Sequence, residues 1–336
     1  MAICVNPMSG RDVRRLAARA SNMTHEAKRD MVARVAAGAQ AMGASDIYVT
    51  REPFRIASLA LEHMGLAAAV HVLQTPLTNG PADTEAAVAA FLAAGCRVIV
   101  SLGGDGTNRA IARALGDAGA AGAGVDLIPL STGTNNVFPV LAEPTAAGMV
   151  AGLIASGRLP DDDLRQTAKV IHLSGTDARG RAVRDLALVD AVLLRDDHVG
   201  NLLPFAAQRL ARIVLTRAEP DAVGMSPIGG MLDVVEAGDD EGLLVEMGPG
   251  REFSAPLSPG AFQAVSVRSA SRLPLDVTVP LAGPGVIALD GDRDYKIAPR
   301  EALTARIRRD GPRVVDIAAA MRRAVARGIM APARNG

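Results

Sequence analysis

The chain has no tryptophan, and aromatic residues make up only 2% of its 336 residues. That scarcity argues against the stacking platforms that hold single-stranded nucleic acid. Lysine occurs only at positions 28, 169 and 296, so the basic charge is nearly all arginine. Basic and acidic residues number 36 each, and the formal net charge is zero. No strong field draws the protein toward nucleic acid or an anionic membrane. The two cysteines, Cys4 and Cys96, lie in apolar strand-like segments and read as buried reduced thiols. No Cys/His cluster has zinc spacing. No apolar run reaches the ~20 residues needed to span a bilayer, and Met1–Pro7 lacks a signal-peptide pattern. A cytoplasmic protein without integral membrane contact is expected.

What the chain does have is apolar bulk, at 49% hydrophobic residues, in two unlike patterns. The first half alternates short apolar runs with helical periodicity. Strands are predicted at 2–5, 46–50, 67–73, 98–102 and 125–130. Helices are predicted at 24–42, 55–64, 81–94 and from Asn108 to Leu115. Thr24 is a candidate N-cap, Pro81 opens its helix, and Gly43, Gly65 and Gly95 stand just past helix ends. This rhythm predicts an α/β N-terminal domain with a doubly wound, mostly parallel sheet over residues 1–160. The Ala-Gly run 116–124 reads as a loop. Past Pro160-Asp161-Asp162-Asp163, strand-like runs dominate: 166–173, 183–195, 231–236, 242–247, 262–269, 275–279, 286–290 and 302–309. They predict a mostly antiparallel β-sandwich over 161–311. The stretch 314–326 reads as helical, with 312–330 returning to the first domain.

The most informative segment joins the strand 98–102 to the helix after it. Gly103, Gly104 and Gly106 let backbone approach a ligand closely, and Thr107 and Asn108 stand where helical amides point at an anion. Asp105 sits among them. A carboxylate repels phosphate, so it needs a bridging Mg2+ or a hydroxyl awaiting deprotonation. The pattern is neither a Walker A loop nor G-x-G-x-x-G, and it points to phosphoryl transfer. Asn6, Ser9 and Gly10 end the first strand, reading equally as an ordinary turn or as further side-chain and backbone donors to phosphate. Thr132, Gly133, Thr134, Asn135 and Asn136 form a hydroxyl-and-amide cluster suited to nucleotide contacts or to helix capping. In a doubly wound sheet these three loops converge on one crevice. Asp290-Gly291-Asp292 reads by itself as a hairpin turn. Asp196-Asp197-His198 reads as a solvated loop.

Taken together, these motifs resemble the superfamily of NAD kinases, diacylglycerol kinases and sphingosine kinases. Gly103–Thr107 matches its Gly-Gly-Asp-Gly-Thr signature, and Asn6–Gly10 the Asn-Pro-x-Ser-Gly opening of the lipid-kinase branch. Pro129–Asn136 is similar to that branch's Pro-x-Gly-Thr-x-Asn-Asp, and Asp290–Asp292 to its late Asp-Gly-Glu. As a whole the chain looks most like the ATP-NAD kinase group that contains acetoin-catabolism proteins, partly through Ser226–Met231.

The resemblance implies an ATP- and Mg2+-dependent kinase acting on a hydroxyl of NAD(H) or a related small molecule. Asp105 would be the catalytic acid-base group, the glycine-loop and 131–136 residues would bind nucleotide, and Asp190, Asp290 and Asp292 would face the acceptor. A homo-oligomer paired through sandwich edge strands is also implied. Where NAD kinases carry Ala-Leu-Asn-Glu, this chain has Ala187-Leu188-Val189-Asp190, keeping the acid and losing the amide. A lipid kinase and a nucleotide-binding regulator without turnover are the alternatives.

Overall fold

The computed structural model describes residues 1–11, 23–134 and 136–330. Its first half runs β1 (Ala2–Val5), α1 (His25–Ala41), β2 (Asp46–Thr50), α2 (Ile56–Leu61), β3 (Ala69–Leu73) and α3 (Pro81–Ala93). It continues with β4 (Val98–Gly103), α4 (Asp105–Asp117), α5 (Ala120–Ala123), β5 (Asp126–Ser131) and α6 (Pro144–Ala155). The second half opens with β6 (Arg165–Thr167), β7 (Val170–Thr176), β8 (Ala182–Ala187), β9 (Asp190–Leu194), β10 (Leu210–Leu215) and α7 (Ser226–Gly230). Two long strands follow, β11 (Glu241–Ser258) and β12 (Ala261–Pro274), then β13 (Thr278–Ala282), β14 (Gly285–Leu289) and β15 (Asp292–Ile297). The chain closes with β16 (Ala302–Arg308), β17 (Arg313–Val315) and α8 (Ile317–Ala326).

Local chemistry sets the helix ends where the sequence predicts them. Thr24 Oγ1 accepts from Ala27 N at 3.1 Å to cap α1, and Gly43 follows it at φ +96°. Pro81 opens α3.

The first sheet has the order β3-β2-β1-β4-β5-β17-β6, parallel except where β6 meets β17. Helices α1, α2, α6 and α8 cover one face, and α3 and α4 the other. Strand order reverses between β1 and β4, so the loops after these two strands open a crevice at their carboxyl ends. The α/β domain is thus doubly wound, as predicted. Two antiparallel sheets follow, β12-β11-β10-β9-β14-β15 and β13-β16-β7-β8. Leu173, Leu193, Ile287, Leu303 and their neighbours fill the core between them.

Several elements differ from the sequence reading. The helix read from Asn108 starts at Asp105, because the Gly104 backbone is extended and the chain turns helical at once. The run 116–124 contains the short helix α5 rather than a plain loop. Residues 183–195 form two strands, broken at Leu188-Val189, and 231–236 is not a strand. Only Val235 bridges, to Ala218, after α7 has taken up 226–230. The stretch 314–326 begins as β17 before Asp316 caps α8. Strand β10 was missed, as was β15, whose charges hide its burial. Asp196 and His198 are exposed as predicted, but the Asp197 side chain is buried and pairs at 2.8 Å with the buried Arg293.

Candidate active site

The glycine loop is shaped by close backbone packing. A Cβ at Gly103 would stand 2.4 Å from the Thr107 side chain, and one at Gly133 would stand 2.6 Å from Gly104 Cα. The loops after β4 and β5 therefore touch through glycines. No side chain caps the start of α4, which leaves its first amides and positive dipole end to the crevice.

Asp105 is the first residue of α4. Its Oδ1 accepts from Phe138 N at 2.9 Å, and both carboxylate oxygens lie 3.2–3.3 Å from Val137 N. Burial, and then the charge of Asp290, push its carboxyl up to about 7, against the pull of those two amides. A carboxyl group that exchanges its proton near neutrality is suited to general acid-base work.

The loop after β1 is held from beneath by Lys28 of α1. Its Nζ is fully buried and donates to the carbonyls of Asn6 (2.8 Å), Pro7 (2.9 Å) and Ser9 (2.8 Å). Thus fixed, Asn6 Nδ2 donates to Thr107 Oγ1 at 2.8 Å, and the Ser9 and Thr132 hydroxyls share a bond of 2.7 Å. All three predicted loops are linked side chain to side chain.

The second domain contributes acids to the same place. Asp290 takes a left-handed backbone at φ +47° and accepts from the amides of Leu188 (2.7 Å), Val189 (2.8 Å) and Asp190 (3.1 Å). Burial raises its carboxyl also, with Arg109 opposing. Asp292 Oδ2 would lie 3.5 Å from a Cβ at Gly106, so this acid closes over the glycine loop. Arg109 of α4 fastens the two domains. It donates to Leu186 O (2.7 Å), Leu289 O (3.2 Å), Asp185 (2.6 Å) and Asp294 (2.9 Å).

These groups surround a cavity of about 680 Å³ between the domains. Asn6, Ser9, Gly10, Gly104, Asp105, Gly106, Thr107, Gly133 and Thr134 line it from one side, and Asp190, Asp290 and Asp292 from the other. Leu202, Phe205 and Met225 make the far wall apolar. Four predicted residues stand behind the lining. Gly103 and Thr132 buttress it, while Asn108 bonds back to Ser101 Oγ (2.6 Å) and Gly104 O (2.9 Å). Asn136 Nδ2 donates to Gly133 O at 2.8 Å and shapes its own loop. Asn135 lies outside the described residues.

Lys28 and Arg109 are the residues sequence reasoning missed. A lysine on the Val32–Val35 face of α1 was the available signal for the first. Among the described residues no group of three or more His, Cys, Asp or Glu side chains forms a metal cage.

Comparison with known proteins follows the same division. Residues 2–159 match the ATP-NAD kinase N-terminal domain, and residues 169–310 the acetoin catabolism protein X C-terminal domain. Acetoin catabolism protein X of Cupriavidus necator is 32% identical over 96% of this chain and 92% of its own length. The chain belongs to the acetoin catabolism protein X family. Its fold is also that of yeast NADH kinase, solved with NADH, with a TM-score of 0.53 at 12% identity over 100% of this chain and 89% of the other. The resemblance to NAD kinases is borne out by the family match and the acetoin catabolism relative.

Proposed function

We propose that this acetoin catabolism protein X relative is an ATP-dependent phosphotransferase. It would pass the γ-phosphoryl group to a hydroxyl of NAD(H) or a related small molecule, in the cytoplasm and in a route linked to acetoin breakdown. One observation carries the reading. Asp105, a buried acid with its carboxyl raised to about 7, sits at the uncapped start of a helix inside a crevice walled by acids from the other domain.

In this reading residues 1–160, with 312–330 returning, form the nucleotide half, and residues 161–311 form the acceptor half. The amides at the start of α4, together with Thr107, Ser9 and Thr134, receive phosphate oxygens. Asp105 takes the proton from the acceptor hydroxyl as the phosphoryl group moves to that oxygen, and the nucleoside diphosphate leaves. Such help is typically worth about 10²–10⁴-fold. Mg2+ fits this donor set, because that ion keeps water and takes one or two carboxylates plus substrate phosphates rather than a full protein cage. Asp292 would hold it, and it would supply charge neutralisation at the phosphates. Edge strands of the sandwich would pair two copies into a homo-oligomer.

The acceptor side favours a second reading. Val189, fully buried, occupies the place where the resembling kinases carry an amide. A nucleotide-binding regulator without turnover fits that change. Purified full-length protein, given ATP, Mg2+ and a panel of NAD, NADH and short-chain alcohols, separates the two. Phosphorylated acceptor from wild type and at least a hundredfold less from Asp105→Asn supports the kinase. Tight ATP binding with no product from any acceptor supports the regulator.

A further inference from the structure

A second cavity, of about 380 Å³, lies on the other side of the segment that holds Asp105. Phe138, Val140, Ala168, Val314 and Ile317 give it apolar walls. Two cations enter it, Lys169 and Arg217. Lys169 is only 4% exposed, and its Nζ donates to the carbonyls of Glu236 (2.9 Å) and Glu241 (2.6 Å). An ammonium has three donors, so one remains. Burial, and then the Arg309 charge, bring that ammonium down to about 8, with Arg217 adding to the effect and Asp239 and Glu241 opposing. Arg217 lies 5.5 Å over the Phe138 ring and donates to Val137 O at 3.2 Å. Its carboxylate partner, Glu219, is 3.7 Å away. Asp316 also lines the cavity, but its Oδ1 caps α8 through Ala319 N at 2.8 Å. Two incompletely neutralised cations at one end of an apolar chamber suit an anion with a greasy body.

We propose that this cavity binds a small monocarboxylate with an apolar body, headgroup on Lys169 and Arg217, and that occupancy is transmitted to Asp105. The link is one short segment. The Phe138 ring faces the second cavity while its N–H holds Asp105. Val137 gives its carbonyl to Arg217 and its N–H to Asp105. A headgroup that draws Arg217 off the Val137 carbonyl releases the segment fixing the acid.

Calorimetric titration of the full chain with octanoate tests the binding, with inorganic phosphate as the second probe. Ala318, exposed at the rim, can be changed to tryptophan to block the mouth, and Lys169→Met removes the buried cation. Octanoate should saturate one site per chain, and each variant should weaken it at least tenfold. Phosphate should not displace octanoate. If Lys169→Met fails to fold, Ala318→Trp decides. Octanoate that never saturates, binds Ala318→Trp as tightly as wild type, or is displaced by phosphate overturns the site. For the link, ¹³C-carboxyl NMR should show the Asp105 titration midpoint move by at least half a pH unit on octanoate binding. A midpoint that stays put overturns the transmission. Neither readout depends on kinase turnover, so this inference and the proposed function fail separately.

Discussion

Arg109 of α4 and Asp185 of β8 form a buried ion pair, Nη2 to Oδ2 at 2.6 Å, that joins the glycine-loop helix to the acid-bearing domain. Both side chains are no more than 5% exposed. Removing one partner of such a pair leaves the other charged and buried, which costs roughly 3–5 kcal/mol. Arg109→Met is expected at the lower end, since Arg113 (3.1 Å) and Tyr295 (2.6 Å) still reach Asp185. Urea unfolding measures it. Arg109→Lys should recover little, because an ammonium does not reproduce the four-partner fork.

The raised Asp105 carboxyl fixes a pH dependence. General-base activity needs the deprotonated acid, so turnover should rise with pH through about 7. Stability runs the other way. A carboxyl that holds its proton more tightly when folded stabilises the protein at low pH, and that contribution fades as pH rises from the ordinary carboxylate range through about 7. Asp290→Asn removes the neighbouring like charge and should move the rate midpoint down. A pH-rate profile with an unmoved midpoint would break the electrostatic link between the two acids.

Lys28 touches three loop carbonyls and, being fully buried beneath them, acts by positioning. Lys28→Met should loosen Asn6 and Ser9, weakening ATP about tenfold, or ~1.4 kcal/mol. The effect on kcat should be smaller than that on nucleotide affinity, and calorimetry beside steady-state kinetics separates the two. An equal loss in both would move Lys28 into the chemistry.

Gly133→Ala forces a Cβ to 2.6 Å from Gly104 Cα. Overpacking of this kind costs typically about 1–3 kcal/mol. The loss should appear in thermal unfolding and in ATP affinity together. Gly116→Ala is the matched control, a helical glycine in α4 with open space around it, and should stabilise by about 0.5–1 kcal/mol.

Much of the site was legible because its residues are backbone-determined. Glycines after β4 and β5 and the Asn-Pro turn after β1 state their geometry in their own types, and sheet topology then brings them together. Thr24 and Pro81 mark helix starts for the same local reason. What stayed hidden depends on distant partners. Arg109 reads as one arginine among many until β8 and β15 bring Asp185 and Asp294 to it. Strand β15 does not show in the sequence because its inward arginine is neutralised by Asp197, nearly a hundred residues earlier. Asp290–Asp292 is the hairpin turn it reads as, joining β14 to β15, but the reading does not show that the turn's carboxylate accepts from three amides of the 188–190 segment.

Strand β17 carries a consequence for synthesis. It supplies the neighbour that β5 needs, pairing Arg313 with Asp126 about 190 residues earlier in the chain. At ribosomal speeds of about 5–20 residues per second, the β5 edge waits roughly 10–40 s for its partner. Through that interval the nascent glycine-loop sheet exposes unpaired backbone, a template for mispairing between neighbouring chains. The crevice is thus among the last features of the protein to mature, although its signature is among the first parts made.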